Sequence, residues 1–154
     1  MTKKLYIITG APDSRKSSVI RALTGVRDTK TFNIQYLEGD EKTHVMVVSC
    51  NEIGSKKYPN GLTPTQLIDY ICNLKKDEKA IIFPIRSIKP NFNLPLASEY
   101  IKVLVGAGFQ IMPVVMFNEA VVLPNGIQGE VLKLTEEIPS NLTATKLRKI
   151  WGIV

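Results

Sequence analysis

The sequence predicts an α/β fold: a three-layer αβα arrangement around a mostly parallel sheet of about five to six strands, with one antiparallel hairpin between the second and third strands. Three observations lead there. Short apolar runs (LYIIT at 5–9, VMVV at 45–48, IIFPI at 81–85, IMPVVMF at 111–117) alternate with stretches whose apolar residues recur at helical spacing. Most of these runs are continuous rather than alternating with polar residues, as in strands buried on both faces. The chain is 154 residues long, which suits a single domain over 1–154.

Taken in order, residues 5–9 read as a buried strand that ends at Gly10. Residues 16–24 carry Val19, Ile20 and Leu23 on one helical face and stop at Gly25, a residue suited to the left-handed helix cap. Residues 31–37 set Phe32, Ile34 and Tyr36 against Asn33 and Gln35, the alternation of a half-buried strand. A polar turn at 38–42, containing Gly39, joins it to a strand at 43–50, and so short a connection requires an antiparallel pair. Thr63, Pro64 and Gln66 spell an N-cap, a proline at the first helical position and a capping box. The helix they open turns Leu67, Ile71 and Leu74 to one side. A fourth strand is expected at 80–85, a helix at 93–105 ended by Gly106 and Gly108, and a fifth strand at 110–117. Short strands at 121–123 and 131–134 and a helix at 140–151 complete the chain. Pro84 and Pro113 fall inside predicted strands, so each strand must begin or end at its proline or lie at an edge.

Composition narrows the class. Hydrophobic residues make up 44% and charged ones 22%, which excludes disordered, collagen-like and coiled-coil chains. No apolar stretch is long enough to span a membrane, and Lys3 and Lys4 precede too short an apolar run for a signal peptide. Cys50 and Cys72 form no metal motif and read as two small buried hydrophobes of a reduced, cytoplasmic protein. The lone His44 has no partner at zinc spacing. The net charge is +6, and residues 1–60 hold ten basic and six acidic side chains, whereas residues 111–154 hold four of each. A basic N-terminal half suits an anionic partner.

Between the first strand and its helix stand Gly10, Ala11, Pro12, Asp13, Ser14, Arg15, Lys16, Ser17 and Ser18. The segment reads G-x-x-x-x-R-K-S and resembles the phosphate-binding loop of the P-loop NTPases, G-x-x-x-x-G-K-[ST], with Arg15 in place of the second glycine. Consecutive backbone N–H groups feeding a helix N-terminus make a concave anion site. The resemblance implies that Gly10 opens the loop, Lys16 meets the phosphates of a nucleoside triphosphate such as ATP, and Ser17 holds its Mg²⁺.

That family also places an acid beyond a neighbouring strand. After the strand at 43–50 the sequence runs Asn51-Glu52-Ile53-Gly54, so Glu52 is the one candidate for the metal, and Asp40 falls at the wrong end of the sheet. The hairpin before that strand is similar to small GTPases, but asparagine stands for aspartate at Asn51, and the base-reading position reads Asn118-Glu119-Ala120-Val121. Arg86, beyond the fourth strand, faces the crevice where open α/β sheets bind ligands. Lys56-Lys57-Tyr58 lies in a loop at the same end, and Trp151 reads as core packing. Two functions follow as expectations. One is a nucleotide-binding protein with a degenerate loop and weak or no hydrolysis, a slow NTPase or phosphotransferase if it turns over at all. The other is a non-catalytic module that uses a basic surface to meet a protein or nucleic acid.

Overall fold

Lys4–Gly10 (β1) is apolar from Leu5 to Ile8, and each of those side chains is at most 1% exposed. In the computed structural model, which describes residues 3–12, 14–27, 30–37, 39–51, 61–88, 94–135 and 137–154, this strand lies in the middle of the sheet. The other strands are β2 (Lys30–Tyr36), β3 (Gly39–Val45), β4 (Glu78–Arg86), β5 (Gln110–Ile111), β6 (Val114–Phe117) and β7 (Gly129–Leu132). Their order is β2-β3-β4-β1-β6-β7, with β5 also on β1. Among these strands only β2 and β3 pair antiparallel.

The helices are α1 (Lys16–Thr24), α2 (Pro64–Cys72), α3 (Ala97–Gly106) and α4 (Ser140–Trp151). Successive β1 side chains point to opposite faces. Tyr6 and Ile8 pack with Val19, Ile20 and Leu23 of α1 and Ala144, Leu147 and Trp151 of α4. Leu5 and Ile7 pack with Leu67 and Ile71 of α2 and Tyr100, Ile101 and Leu104 of α3. Helices cover both faces, and this explains the continuous apolar runs.

Several boundaries differ from the sequence reading. The hairpin ladder pairs Tyr36 with Gly39 and Asn33 with Lys42, so residues 39–42 belong to the strand and not to the turn. β3 stops at Val45 instead of reaching residue 50. The α3 helix begins at Ala97 instead of 93, because Pro95 disfavours helical geometry in the residue before it. Pro113 splits the strand at 110–117 into β5 and β6. Residues 121–123 form no strand. Val121 and Leu123 instead pack beneath the α2–α3 layer, and the last strand is β7, parallel to β6. Cys50 is buried as expected, whereas Cys72 ends α2 with its thiol exposed.

Other local signals hold. Thr63 and Gln66 exchange both hydrogen bonds of the capping box, and Gly25 caps α1 with φ 73°. Among the described residues, no helix is long and apolar enough to cross a membrane.

Trp151 is 4% exposed, sets its ring edge-on to Tyr6 and donates its indole N–H to the Pro113 carbonyl at 2.7 Å. Trp151→Ala therefore opens a cavity and strands a carbonyl, with an expected loss of about 3–5 kcal/mol in urea unfolding. Trp151→Phe should cost less than half of that.

His44 of β3 is 7% exposed, with Nε2 2.6 Å from the Tyr70 hydroxyl. Burial lowers its pKa from 6.5 and Lys3 lowers it further, while Glu78 opposes them. The unfolded chain therefore binds this proton first as the pH falls. Stability should drop from pH 6.5 downward until the folded histidine also titrates. Denaturant melts at pH 7.5 and 5 should show this slope, and His44→Gln should flatten it.

Candidate phosphate-binding loop

The carboxyl end of β1 meets β4 and β6. Gly10 lies opposite Arg86 in the β1–β4 register, and its carbonyl accepts the Ser87 N–H at 2.9 Å. A Cβ on Gly10 would stand 2.4 Å from Ser14 Oγ and 3.3 Å from Phe117 Cβ, so a larger residue there would force the Ser14 side chain to move as the loop opens. The Ser14 N–H then bonds back to the Ala11 carbonyl at 3.2 Å, closing a turn. Asp13 lies outside the described residues.

Arg15 adopts φ 68° and ψ 22° at the N-cap of α1. This left-handed conformation costs a residue with a Cβ about 1–2 kcal/mol, and glycine adopts it freely. It supplies the backbone turn at the position where the resembled motif has glycine. Its guanidinium does not fill the loop: it donates to the Ile138 carbonyl, on the segment leading into α4. Arg15 gives α1 no side-chain cap, so the first-turn amides and the positive end of the helix dipole face the loop.

Lys16 is 4% exposed and arches back over the loop, its Nζ 2.8 Å from the Ala11 carbonyl and 3.4 Å from Ser14 Oγ. Ser17 donates its hydroxyl to the Val47 carbonyl at 2.6 Å. Ser18 points to solvent. Ala11 and Pro12 are half-buried in the turn. The loop thus gathers helix amides, an ammonium and a hydroxyl at the end of β1, a chemistry suited to anionic oxygens.

The strand beside β1 is β4, not β3, and this changes the meaning of the residues after β3. The last rung to β3 is Val45 with Ile82, followed by the Met46 N–H on the Ile82 carbonyl. Pro84 and Arg86 face the same side as Ile82, where β3 has already left. Pro84 therefore has no ladder bond to lose there, which explains a proline in a central strand.

At Arg86 a side chain replaces the missing strand. Asn51 Oδ1 accepts the Arg86 N–H at 2.9 Å, and Asn51 Nδ2 donates to the carbonyls of Arg86 at 3.0 Å and Pro95 at 3.2 Å. Asn51 is fully buried. An aspartate here would set a carboxylate against two carbonyl oxygens, so the amide is needed where a metal-binding acid was sought.

The remaining sequence candidates divide. Arg86 leaves the sheet on the α1 side, level with Gly10. Asp40 lies near the start of β3, at the sheet's opposite end. Asn118 sits at φ 67°, and its Oδ1 accepts the Leu134 N–H at 2.6 Å, so it closes β6 against the chain beyond β7. Glu52 and Lys56-Lys57-Tyr58 lie outside the described residues. Sequence reasoning missed Ser87, Ile138 and the part played by Asn51. Only a buried asparagine directly after a strand hinted at the last.

Compared with known protein families, curated proteins and solved structures, the chain matches none of them.

Asn51→Asp should cost about 2–4 kcal/mol at pH 7, the penalty for leaving two buried carbonyls facing a charge. Once protonated, the introduced carboxyl can donate again, so its pKa in the folded chain is raised and the deficit should shrink as the pH falls toward 4. Urea melts of both chains across this range check the sign.

Proposed function

We propose that residues 10–18 bind the phosphates of a nucleoside triphosphate, in the first instance ATP, with weak or no hydrolysis. The observation that carries this reading is the left-handed Arg15 at the start of α1, directly before the buried Lys16. The backbone is left-handed where the resembled motif has glycine, although its residue disfavours this, and the arginine side chain is directed away to Ile138. The left-handed turn is already adopted without ligand, so its cost of about 1–2 kcal/mol falls on folding and does not abolish phosphate affinity.

In this reading Lys16 swings from the Ala11 carbonyl onto phosphate oxygens, and the α1 amides hold the same group. Ser17 would contribute its oxygen to Mg²⁺, which supplies charge neutralisation between the phosphates when bound. Slow or absent turnover is supported by Asn51, whose amide is committed to Arg86 and Pro95. Arg86, beside Gly10, is the further cation on this face.

A second reading, a non-catalytic module that meets its partner through a basic surface, is favoured by the charges on α1 and α4.

Thermal unfolding with and without Mg-ATP or Mg-GTP tests the first reading. Ligand at 100 times Kd should add about 2.7 kcal/mol of stability. Lys16→Ala should remove the shift. Arg15→Gly should leave the shift in place, because the left-handed penalty is already met in the free chain and the arginine holds no place over the loop. No shift with either nucleotide at millimolar concentration, or a shift unchanged in Lys16→Ala, overturns the proposal.

A further inference from the structure

Among the described residues, two neighbouring helices carry cations and no acids. The helices α1 and α4 pack side by side on the same side of the sheet. Their sequences, KSSVIRALT and SNLTATKLRKIW, contain five cationic side chains and no carboxylate. Arg27, just beyond the cap of α1, adds a sixth cation, and the remainder of the chain holds 14 basic and 14 acidic side chains.

Lys16 is turned inward, and the others lie outward. Arg21, Arg27, Lys146 and Lys149 are exposed, and Arg148 is half-buried. Arg21 and Arg27 line a hollow of about 770 Å³ together with Ala22 and Gly25. Arg148 reaches across from α4 and donates to the Ala22 carbonyl at 3.1 Å. The two helices are thereby joined beside this hollow, which Arg21 and Arg27 line. The exposed positions are Ser18 and Arg21 on α1, then Gly25 at its cap, and Asn141, Leu142, Thr145, Lys146 and Lys149 on α4, one solvent face on each helix.

We propose that the outer face of α1 and α4 docks the phosphate backbone of double-stranded nucleic acid, without reading its sequence. A one-sign face built from arginine and lysine is the electrostatic footprint of a polyanion. Neither helix exposes an aromatic ring: Trp151, the only one they carry, is 4% exposed. Single strands are held by stacking on such rings, so a duplex is the better match. This surface is separate from the loop at residues 10–18, and the proposal does not require that loop to bind nucleotide.

The test is fluorescence anisotropy of the full chain with a labelled 20-base-pair duplex of arbitrary sequence from 50 to 300 mM KCl. Neutralising four or five phosphates gives log Kobs against log[salt] a slope of about −4. Arg21→Glu/Lys149→Glu should weaken binding at least tenfold. Lys76→Glu/Lys102→Glu, the same charge change on exposed lysines outside this face, should alter it less than twofold. Both variants should keep the wild-type melting temperature and the same response to Mg-ATP, so failure here is distinguishable from failure of the loop. Absence of binding at 50 mM KCl overturns the proposal, as does equal weakening by both variants. Displacement of the duplex by polyglutamate at equal charge assigns the face to an acidic protein, and tighter binding of a single strand than of the duplex removes the duplex assignment.

Discussion

The fold at its working end depends on a ladder that continues after its strand has gone. β4 is paired with β3 only as far as Ile82, yet its backbone must remain extended to Arg86 and Ser87 to meet Gly10. The buried Asn51 amide bridges the gap, accepting one N–H and donating to two carbonyls. A primary amide can do both, as a peptide group does, whereas a carboxylate can only accept. Through this one side chain the turn after β3, the end of β4 and the entry to α3 are joined, and with them the strand against which β1 ends.

The same constraint shapes the loop. With Ser87 on the Gly10 carbonyl and Ser14 and Phe117 close behind, a Cβ on Gly10 would crowd the loop, and the chain turns from there into α1. Arg15 accepts a strained conformation in order to start the helix there, and the Ile138 carbonyl holds its side chain clear. Lys16 and Ser17 are each engaged by a carbonyl of the surrounding structure. The loop is therefore organised before any ligand arrives, which reduces the ordering that a bound anion would have to supply.

Charge and packing are divided between the two helical layers. The α2–α3 side contributes a large apolar cluster under helices that carry charges of both signs. The α1–α4 side contributes an equally large core beneath helices of one sign only. The loop proposed for phosphate and the cationic outer surface are compatible, because the first would use the end of α1 and the second its solvent face.

The local patterns in the sequence determined most element types, the layered α/β class, the hairpin and the capping box at Thr63, because each rests on hydrophobic period or on residue-specific backbone geometry. Boundaries slipped where a partner decides them. Gly39 to Lys42 look like a turn yet form a strand, because β2 lies opposite them. Pro84 looks unsuited to a central strand yet stands in one, because β3 ends before reaching it. The tertiary structure alone placed β4 beside β1, turned Asn51 from a missing acid into a required amide, and brought α4 against α1. That last contact set the cations of α4 beside those of α1, which lie far apart along the chain. Long-range pairing carries no local signature, so no reading of neighbouring residues could have located it.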